Sequence, residues 1–334
     1  MPGPQPVEQT KVTAAPAHPV APLLRAPGGE LPDRVFQSAM TTCGLAVLGV
    51  LGLIVYELMS RSSLSWHAFG LKFFSGSDWN PVSEQFGALP FIYGTLVSSL
   101  VALVVAVPLA VGVAVFTTEM CPKALRGPLS FFVELLAAIP SVIYGLWAFF
   151  VLVPLLRDYV APVLTKTLGW SPLFSGPFYG LSMLAAGIIL AIMIIPIISS
   201  ITREVLMVVP QHQREGVLAL GATRWEMIRM GVLRNARAGI LGGIILGLGR
   251  ALGETMAVTM VIGNTPQISK SLFASGYTMA SVLANEFSEA TGDVYLSALI
   301  EIGLALFLVT IIVNALAQLL VWTVTRGQPA RGHA

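Results

Sequence analysis

The chain has 334 residues, of which 55% are hydrophobic and only 11% charged, and its formal net charge is +2. Soluble domains usually carry about 25% charged residues, so this composition excludes a soluble globular protein of this length. The two cysteines, Cys43 and Cys121, form no CxxC pair, and the four histidines are scattered along the chain. The sequence therefore predicts neither a disulfide framework nor a metal site.

Six apolar segments predict an all-α integral membrane protein with about six transmembrane helices. A spanning helix needs roughly 20 apolar residues, because each residue rises about 1.5 Å and the hydrocarbon core is about 30 Å thick. The segments cover residues 35–59, 91–116, 129–155, 179–200, 238–262 and 296–324. The first segment is too long for a signal-peptide core and lacks a small-residue cleavage site, so we expect it to be retained.

The regions outside these segments complete the predicted organisation. Residues 1–34 are rich in Pro and Ala and predict a disordered tail. Residues 35–325 form the predicted transmembrane domain, and residues 326–334 form a second short tail.

The positions of Lys and Arg predict that both termini are cytoplasmic. With that orientation, thirteen Lys and Arg lie in cytoplasmic segments and five in extracytoplasmic loops, while Arg250 lies within a span. An excess of basic residues on the cytoplasmic side is the usual arrangement in membrane proteins.

Four prolines, Pro108, Pro140, Pro154 and Pro196, interrupt the predicted spans. Each removes a backbone hydrogen bond and bends its helix. Such breaks are tolerated in a membrane where neighbouring helices or a cavity satisfy the freed carbonyls. Two interpretations remain open for each proline, a helix that lines a pathway and ordinary helix curvature.

The stretch from Val209 to Arg229, between spans four and five, predicts two short cytoplasmic helices. Pro210 suits the first helical position, and Gly221 suits the left-handed residue after the end of the first helix. Thr223 and Glu226 have the spacing of a capping box for the second helix. A structured element here indicates either a docking site for a partner or an amphipathic segment on the membrane surface.

The same stretch resembles the EAA motif of bacterial ABC import permeases, Glu-Ala-Ala-x-x-x-Gly. Glu215 and Gly221 stand at the spacing of the motif, whereas Gly216 and Val217 replace its two alanines. In that family the segment is the coupling helix that sits in a cleft of the ATP-binding subunit. The resemblance therefore implies a coupling region at about 203–237, in which the contact residues are Glu215, Gly216, Val217, Leu218, Ala219 and Gly221.

A charged pair lies inside the fifth predicted span. Arg250 falls near its middle, and Glu254 follows four residues later, so both should project from one face of the helix. A charge at that depth must face the protein interior or an aqueous cavity. Two interpretations compete: a buried ion pair that fixes helix packing, and a site where the guanidinium binds an anion such as phosphate.

Glycines surround this pair. Gly243, Gly247, Gly249 and Gly253 form two interleaved GxxxG spacings, which permit close approach of another helix. That helix belongs either to a partner permease subunit or to the same chain.

The run from Gly249 to Val258 and the run from Ile139 to Leu156 are similar to PstC-type permeases of the phosphate-transport (Pst) family. The resemblance covers about residues 35–325. It implies a type I ABC importer (MetI-like) permease fold and import of inorganic phosphate, with Arg250 and Glu254 in the substrate pathway.

The resemblance also implies partners: a second, PstA-like permease, two PstB-like ATP-binding subunits, and an extracytoplasmic PstS-like phosphate-binding protein. The sequence contains no GxxxxGK[ST] run, so ATP and Mg²⁺ should be bound by another chain. We therefore expect no cofactor and no enzymatic activity in this chain, and an inner-membrane location in a bacterium.

Three alternatives stay open beside this interpretation. A permease for molybdate or sulfate would share the EAA element but not the Arg-x-x-x-Glu run. A secondary transporter should show inverted repeats, and none is visible. A membrane enzyme would need a catalytic constellation, and the sequence has neither GxSxG nor a His cluster.

Three further acidic residues lie in or near the predicted spans. Glu57 should reach the membrane interface, whereas Glu134 and Glu301 should face the protein interior as structural pairing partners.

Overall fold

The structure is a computed structural model that describes residues 30–325, with side chains described for residues 33–323. The predicted tail at 326–334 and residues 1–29 of the predicted disordered tail at 1–34 lie outside the described residues. Residues 30–34 belong to a helix, so the prediction of disorder is wrong for them. The chain divides into two units, Met1–Ile54 and Val55–Ala334. The described part of the first unit is helical from Glu30, and its side chains from residue 33 onward are exposed. All further contacts reported below lie within the second unit.

Within residues 30–325, six helices are long and apolar enough to cross a membrane, in agreement with the predicted number. In chain order these spans 1 to 6 cover Asp33–Arg61, Leu89–Met120, Ser141–Leu168, Met183–Val208, Arg224–Leu252 and Asp293–Thr323.

The α-helices that build and connect the spans are α1 (Glu30–Arg61), α2 (Ser63–Phe69), α3 (Lys72–Ser75), α4 (Leu89–Val115), α5 (Lys123–Ala138), α6 (Ser141–Trp147), α7 (Val153–Leu155), α8 (Ala161–Leu168), α9 (Met183–Val208), α10 (Gln211–Ala219), α11 (Arg224–Glu226), α12 (Arg234–Leu252), α13 (Met256–Thr259), α14 (Met279–Glu286) and α15 (Asp293–Thr325). Wide π-helical turns lie at Phe116–Met120, Ala148–Leu152, Leu156–Val160 and Met227–Leu233, and a 3₁₀ turn lies at Pro172–Phe174. Two short strands, β1 (Trp79–Asn80) and β2 (Gln85–Phe86), pair antiparallel, with Trp79 opposite Phe86.

Helix α9 lies at the centre of the second unit and is the most buried of the spans. Its apolar residues pack against α4, α12 and α13, and they form the main core with side chains such as Ile189, Ile194 and Ile198. A second apolar cluster, around Phe91, Tyr277 and Leu299, packs the starts of α4 and α15 together. A helix that is apolar on all sides is expected in such an enclosed position.

Span 3 differs from its prediction. The predicted segment 129–155 is divided at Ile139 and Pro140, so α5 is a separate helix and span 3 begins only at Ser141. Pro140 has a backbone N without a hydrogen atom and cannot continue the hydrogen-bond ladder of α5. The apolar residues of α5, such as Phe131 and Leu135, lie on an exposed face of an amphipathic helix rather than in the span itself.

The other three prolines have different consequences. Pro108 lies inside α4 and Pro196 inside α9, and neither ends its helix. Pro154 lies in α7, between two of the wide π-helical turns of span 3. A wider turn leaves room for the proline ring and does not require the N–H donor that proline lacks.

The orientation of the spans is a prediction that thiol labelling can test. After replacement of Cys43 and Cys121, single cysteines are introduced at Ser171, between spans 3 and 4, and at Gly216, between spans 4 and 5. We expect a membrane-impermeant reagent to label the Ser171 position in intact spheroplasts and the Gly216 position only after the membrane is opened. Labelling of both positions from the same side would contradict the predicted topology.

Candidate functional site

Span 5 packs against span 4 through glycines. A Cβ atom on Gly239, Gly243 or Gly247 would collide with or closely approach Val205, Ile201 and Ile198, respectively. The two helices therefore run antiparallel, and four residues forward on α12 correspond to about four residues back on α9. Arg250 lies three residues after Gly247 on α12. The same register therefore places it near the level of Ile194 on α9.

Arg250 consequently lies at mid-depth of span 4. Ile194 is the twelfth residue of α9, a helix of 26 residues. Helix α12 ends two residues after Arg250, at Leu252. The predicted fifth span, 238–262, is therefore wrong in its last ten residues, because α12 stops at Leu252, opposite the middle of span 4.

The charged pair is asymmetric in its exposure. The Nη2 atom of Arg250 lies 3.6 Å from Oε2 of Glu254, and the side chains are 47% and 4% exposed. The Oε1 atom of Glu254 accepts a hydrogen bond from the backbone N–H of Ala257 at 3.3 Å. Glu254 is therefore fastened to the first turn of α13, whereas the guanidinium of Arg250 extends from the last turn of α12, where the helix dipole favours a positive charge.

The exposed part of the Arg250 side chain must contact water or another protein subunit. A charge at the centre of a bilayer costs about 2.5–3.5 kcal/mol even on the lowest scales. Nearly half of the Arg250 side chain is uncovered by this chain. This surface must face a partner subunit or a hydrated pathway, because lipid tails cannot solvate it.

The chain after α12 stays inside the protein without forming a continuous helix. Carbonyl oxygens of Val261, Ala274 and Leu272 accept hydrogen bonds from the N–H groups of Ser182, Met183 and Leu184, the N-cap residue and the first two residues of span 4, with lengths of 2.9–3.0 Å. Irregular backbone at membrane depth is stable where such internal partners satisfy it. The broken end of span 5 therefore holds Glu254 in a defined place.

The two GxxxG spacings divide between two environments. Gly243 and Gly247 pack against α9 of the same chain, as described above. A Cβ atom on Gly249 would meet nothing within 4 Å, and one on Gly253 would meet only the carbonyl oxygen of Gly249. The second spacing is thus open, next to the exposed part of Arg250.

The predicted local structure between spans 4 and 5 is largely confirmed. Gly221 has a φ of +82° and follows the end of α10, and Thr223 and Glu226 form both hydrogen bonds of a capping box. Pro210 is the N-cap residue of α10, one position before its predicted place. The second predicted helix is not separate, because residues from Arg224 continue into span 5.

Most of the predicted contact residues are accessible. Glu215, Gly216, Leu218, Ala219 and Gly221 are exposed at the surface of α10 and the turn after it. Val217 is half-buried, since its side chain packs over Gly231. Leu220 and Trp225 are 88% and 64% exposed. This combination of a fixed helix and exposed apolar side chains favours a docking surface for another protein.

Arg214 anchors this element, a role that no pattern in the sequence indicates. Its guanidinium donates hydrogen bonds to the carbonyl oxygens of Leu206 and Val209 at the end of α9, and to Glu119 at 2.9 Å. The Glu119 side chain is only 8% exposed. Because Glu119 lies 95 residues before Arg214 in the chain, no spacing rule within the sequence connects the two.

The three remaining acids have three different environments. Glu57 forms an ion pair with Arg61 near the end of span 1, and both are half or more exposed. Glu134 lies on α5 and is 56% exposed, so its predicted interior position is wrong, although it pairs with Arg203 at 2.7 Å. Glu301 is fully buried, as predicted. Among the described residues, however, no hydrogen-bond partner meets either of its carboxyl oxygens.

Six apolar helices, a mid-depth arginine beside a broken helix and an anchored docking helix define a multi-pass membrane transport subunit. A family model described as the binding-protein-dependent transport system inner membrane component matches residues 106–326. The chain belongs to this family and, within it, to the group of phosphate transport system permease proteins named PstC. It is 47% identical to the PstC of Mesorhizobium japonicum over 86% of this chain and 89% of that protein. The corresponding values for the PstC of Xylella fastidiosa are 49%, 88% and 92%.

Solved structures share the fold. The bacterial alginate ABC transporter, solved with an alginate-bound periplasmic protein, aligns with a TM-score of 0.58 over 89% of this chain and 98% of that chain, at 17% identity. The MetNI methionine ABC transporter in an inward-facing conformation aligns with a TM-score of 0.51 over 71% and 95%, at 16% identity. The predicted MetI-like permease fold is therefore confirmed.

Proposed function

We propose that this chain is the permease subunit of an ATP-driven importer of inorganic phosphate and forms half of its translocation pathway. The observation that carries the proposal is the half-exposed guanidinium of Arg250, opposite the middle of span 4. Relatives that are 44–49% identical are named as phosphate transport permeases, which supports phosphate as the anion.

The geometry of the pair suits a transient anion site. At 3.6 Å the Arg250–Glu254 contact is longer than a hydrogen bond, so N–H donors of the guanidinium remain free for phosphate oxygens. A guanidinium fork matches two such oxygens. Glu254, held by the N–H of Ala257, orients the arginine and supplies a negative charge nearby, which keeps the anion from binding too tightly to leave.

The docking surface around α10 supports the choice of partners. A PstB-like dimer would bind ATP and Mg²⁺ and would contact the accessible residues Glu215, Gly216, Leu218, Ala219 and Gly221. A PstA-like permease would close the pathway, and a PstS-like protein would deliver phosphate from the extracytoplasmic side. ATP binding would then bias the spans between two facing states.

Uptake of radiolabelled phosphate tests the substrate. The host lacks its own high-affinity phosphate importer and carries the cognate operon with the wild-type chain. We expect uptake at low phosphate that unlabelled phosphate competes away and that sulfate and molybdate leave unchanged. Competition by sulfate or molybdate at equal concentration, with little effect of phosphate, would assign the permease to another oxyanion and would contradict the proposed substrate.

A further inference from the structure

A buried polar cluster joins the start of span 6 to the helix that follows span 1. The hydroxyl of Ser297 on α15 accepts a hydrogen bond from the N–H of Ser65 on α2 at 3.0 Å and donates one to the carbonyl oxygen of Arg61 at 3.0 Å. One turn further along α15 lies Glu301, which is buried like Ser65 in the helix pair formed by α15 and α2. Ser65, Ser297 and Glu301 are at most 2% exposed.

The carboxyl group of Glu301 has no counter-charge in this cluster. In the described part of the chain, neither of its oxygens has a hydrogen-bond partner, and the same holds for the hydroxyl of Ser65. Charged or basic side chains near this joint are directed elsewhere. Glu286 on α14 accepts hydrogen bonds from Trp79 and Tyr295. Arg61 pairs with Glu57 and is 67% exposed, and the ring of His67 bonds to the carbonyl oxygen of Ser63.

A carboxylate in this place would be strongly destabilising. Glu301 is the ninth residue of α15, so it lies roughly 12 Å along the helix from its start. An isolated ionised carboxylate in an apolar medium costs far more than a neutral acid, and in practice such a group takes up a proton. A neutral carboxylic acid has one O–H donor and can use the free hydroxyl of Ser65 as its acceptor.

We propose that Glu301 carries a proton in the folded permease and donates it in a hydrogen bond to Ser65. This hydrogen bond links span 6 to α2 one helical turn after the Ser297 contact. It thereby stabilises the connection between span 1 and α2. The assignment is independent of the transported anion, because none of these residues belongs to the Arg250 site.

Four variants of the assembled complex in lipid test the proposal. Glu301→Gln keeps the shape and one N–H donor for Ser65, whereas Glu301→Ala removes both. Ser65→Ala removes the acceptor, and Glu57→Gln is the matched control because Glu57 is an exposed, paired glutamate near the same joint. The measurements are Tm and the infrared carbonyl band of a protonated carboxylic acid, compared with the wild-type complex at neutral pH.

We expect Glu301→Gln to keep Tm within about 2 °C of wild type, and Glu301→Ala and Ser65→Ala to lower it by about 5 °C or more. The two alanine changes should not add when combined, since they remove the same contact. The infrared band should disappear in Glu301→Gln and persist in Glu57→Gln.

Four results would overturn the proposal. The first is a Glu301→Gln protein as unstable as Glu301→Ala, and the second is the absence of a protonated-acid band that depends on Glu301. The third is a rise of Tm with sodium or another cation in wild type that Glu301→Gln abolishes, which would make Glu301 a cation ligand. Unchanged Tm in both alanine variants would likewise show that the contact is not made.

Discussion

Replacement of Arg250 by Gln is expected to lower phosphate uptake at least about 100-fold in a complex that assembles normally. A hydrogen bond to a charged group contributes about 1.5–3 kcal/mol, and each 1.4 kcal/mol corresponds to tenfold, so loss of both contacts of the guanidinium to phosphate corresponds to about 100-fold or more. Gln keeps a similar length but has no charge and no fork of donors. Arg250→Lys should retain an intermediate rate, because an ammonium supplies the charge without the bidentate geometry.

Arg157→Gln is the matched control for this experiment. Arg157 also lies in a span, but its side chain is 56% exposed and paired with its neighbour Asp158 at 2.8 Å. We expect uptake within about twofold of wild type for this variant. Uptake is measured per assembled complex, quantified by copurification of the partner subunits. Normal transport by Arg250→Gln would show that the pair with Glu254 serves packing and that the anion passes elsewhere.

Replacement of Gly216 by Leu is expected to separate the permease from its ATP-binding subunits. Gly216 lies inside α10 and is exposed, and a Cβ atom there would meet nothing within 4 Å in this chain. Leu is also a better helix former than Gly by up to about 1 kcal/mol, so the permease itself should remain folded. A bulky side chain in the centre of a docking helix would nevertheless prevent its insertion into a cleft, and we expect ATPase copurification to fall at least about tenfold.

Gly127→Leu provides the control for the docking experiment. Gly127 lies inside α5, on the connection between spans 2 and 3, and a Cβ atom there would likewise meet nothing within 4 Å. This variant should copurify the ATPase normally. If Gly216→Leu binds the ATPase as wild type does, α10 lies outside the docking interface. The alternative that α10 rests on the membrane surface would then be favoured.

Several features were predictable from local sequence because their physical causes are local. The number of spans follows from the length of apolar segments, since each must cross the same thickness of hydrocarbon. The left-handed conformation of Gly221 and the capping box of Thr223 and Glu226 depend on residues within one helical turn of each other. These predictions are confirmed for that reason.

The ends of spans 3 and 5 were not predictable from hydropathy. Residues 129–138 are as apolar as a membrane segment, but they form part of α5, an amphipathic helix that ends before Pro140. Residues 253–262 are also largely apolar, but the carbonyl oxygen of Val261 completes the end of span 4 instead of extending span 5. Hydropathy measures the preference of a side chain for an apolar environment. It does not indicate whether the backbone is helical.

The sequence by itself determined the class of the protein, the number of its spans, and the presence of Arg250 and Glu254 in or beside the fifth. Only the tertiary structure decided that Arg250 is half-exposed at mid-depth, that Glu254 is held by α13, and that Arg214 joins Glu119. It also decided that Glu301 is buried without a counter-charge among the residues that the structure describes, whereas Glu134 lies at the surface. Exposure and pairing depend on which distant helices lie next to each residue, and that is set by packing across the whole bundle rather than by any spacing within one segment.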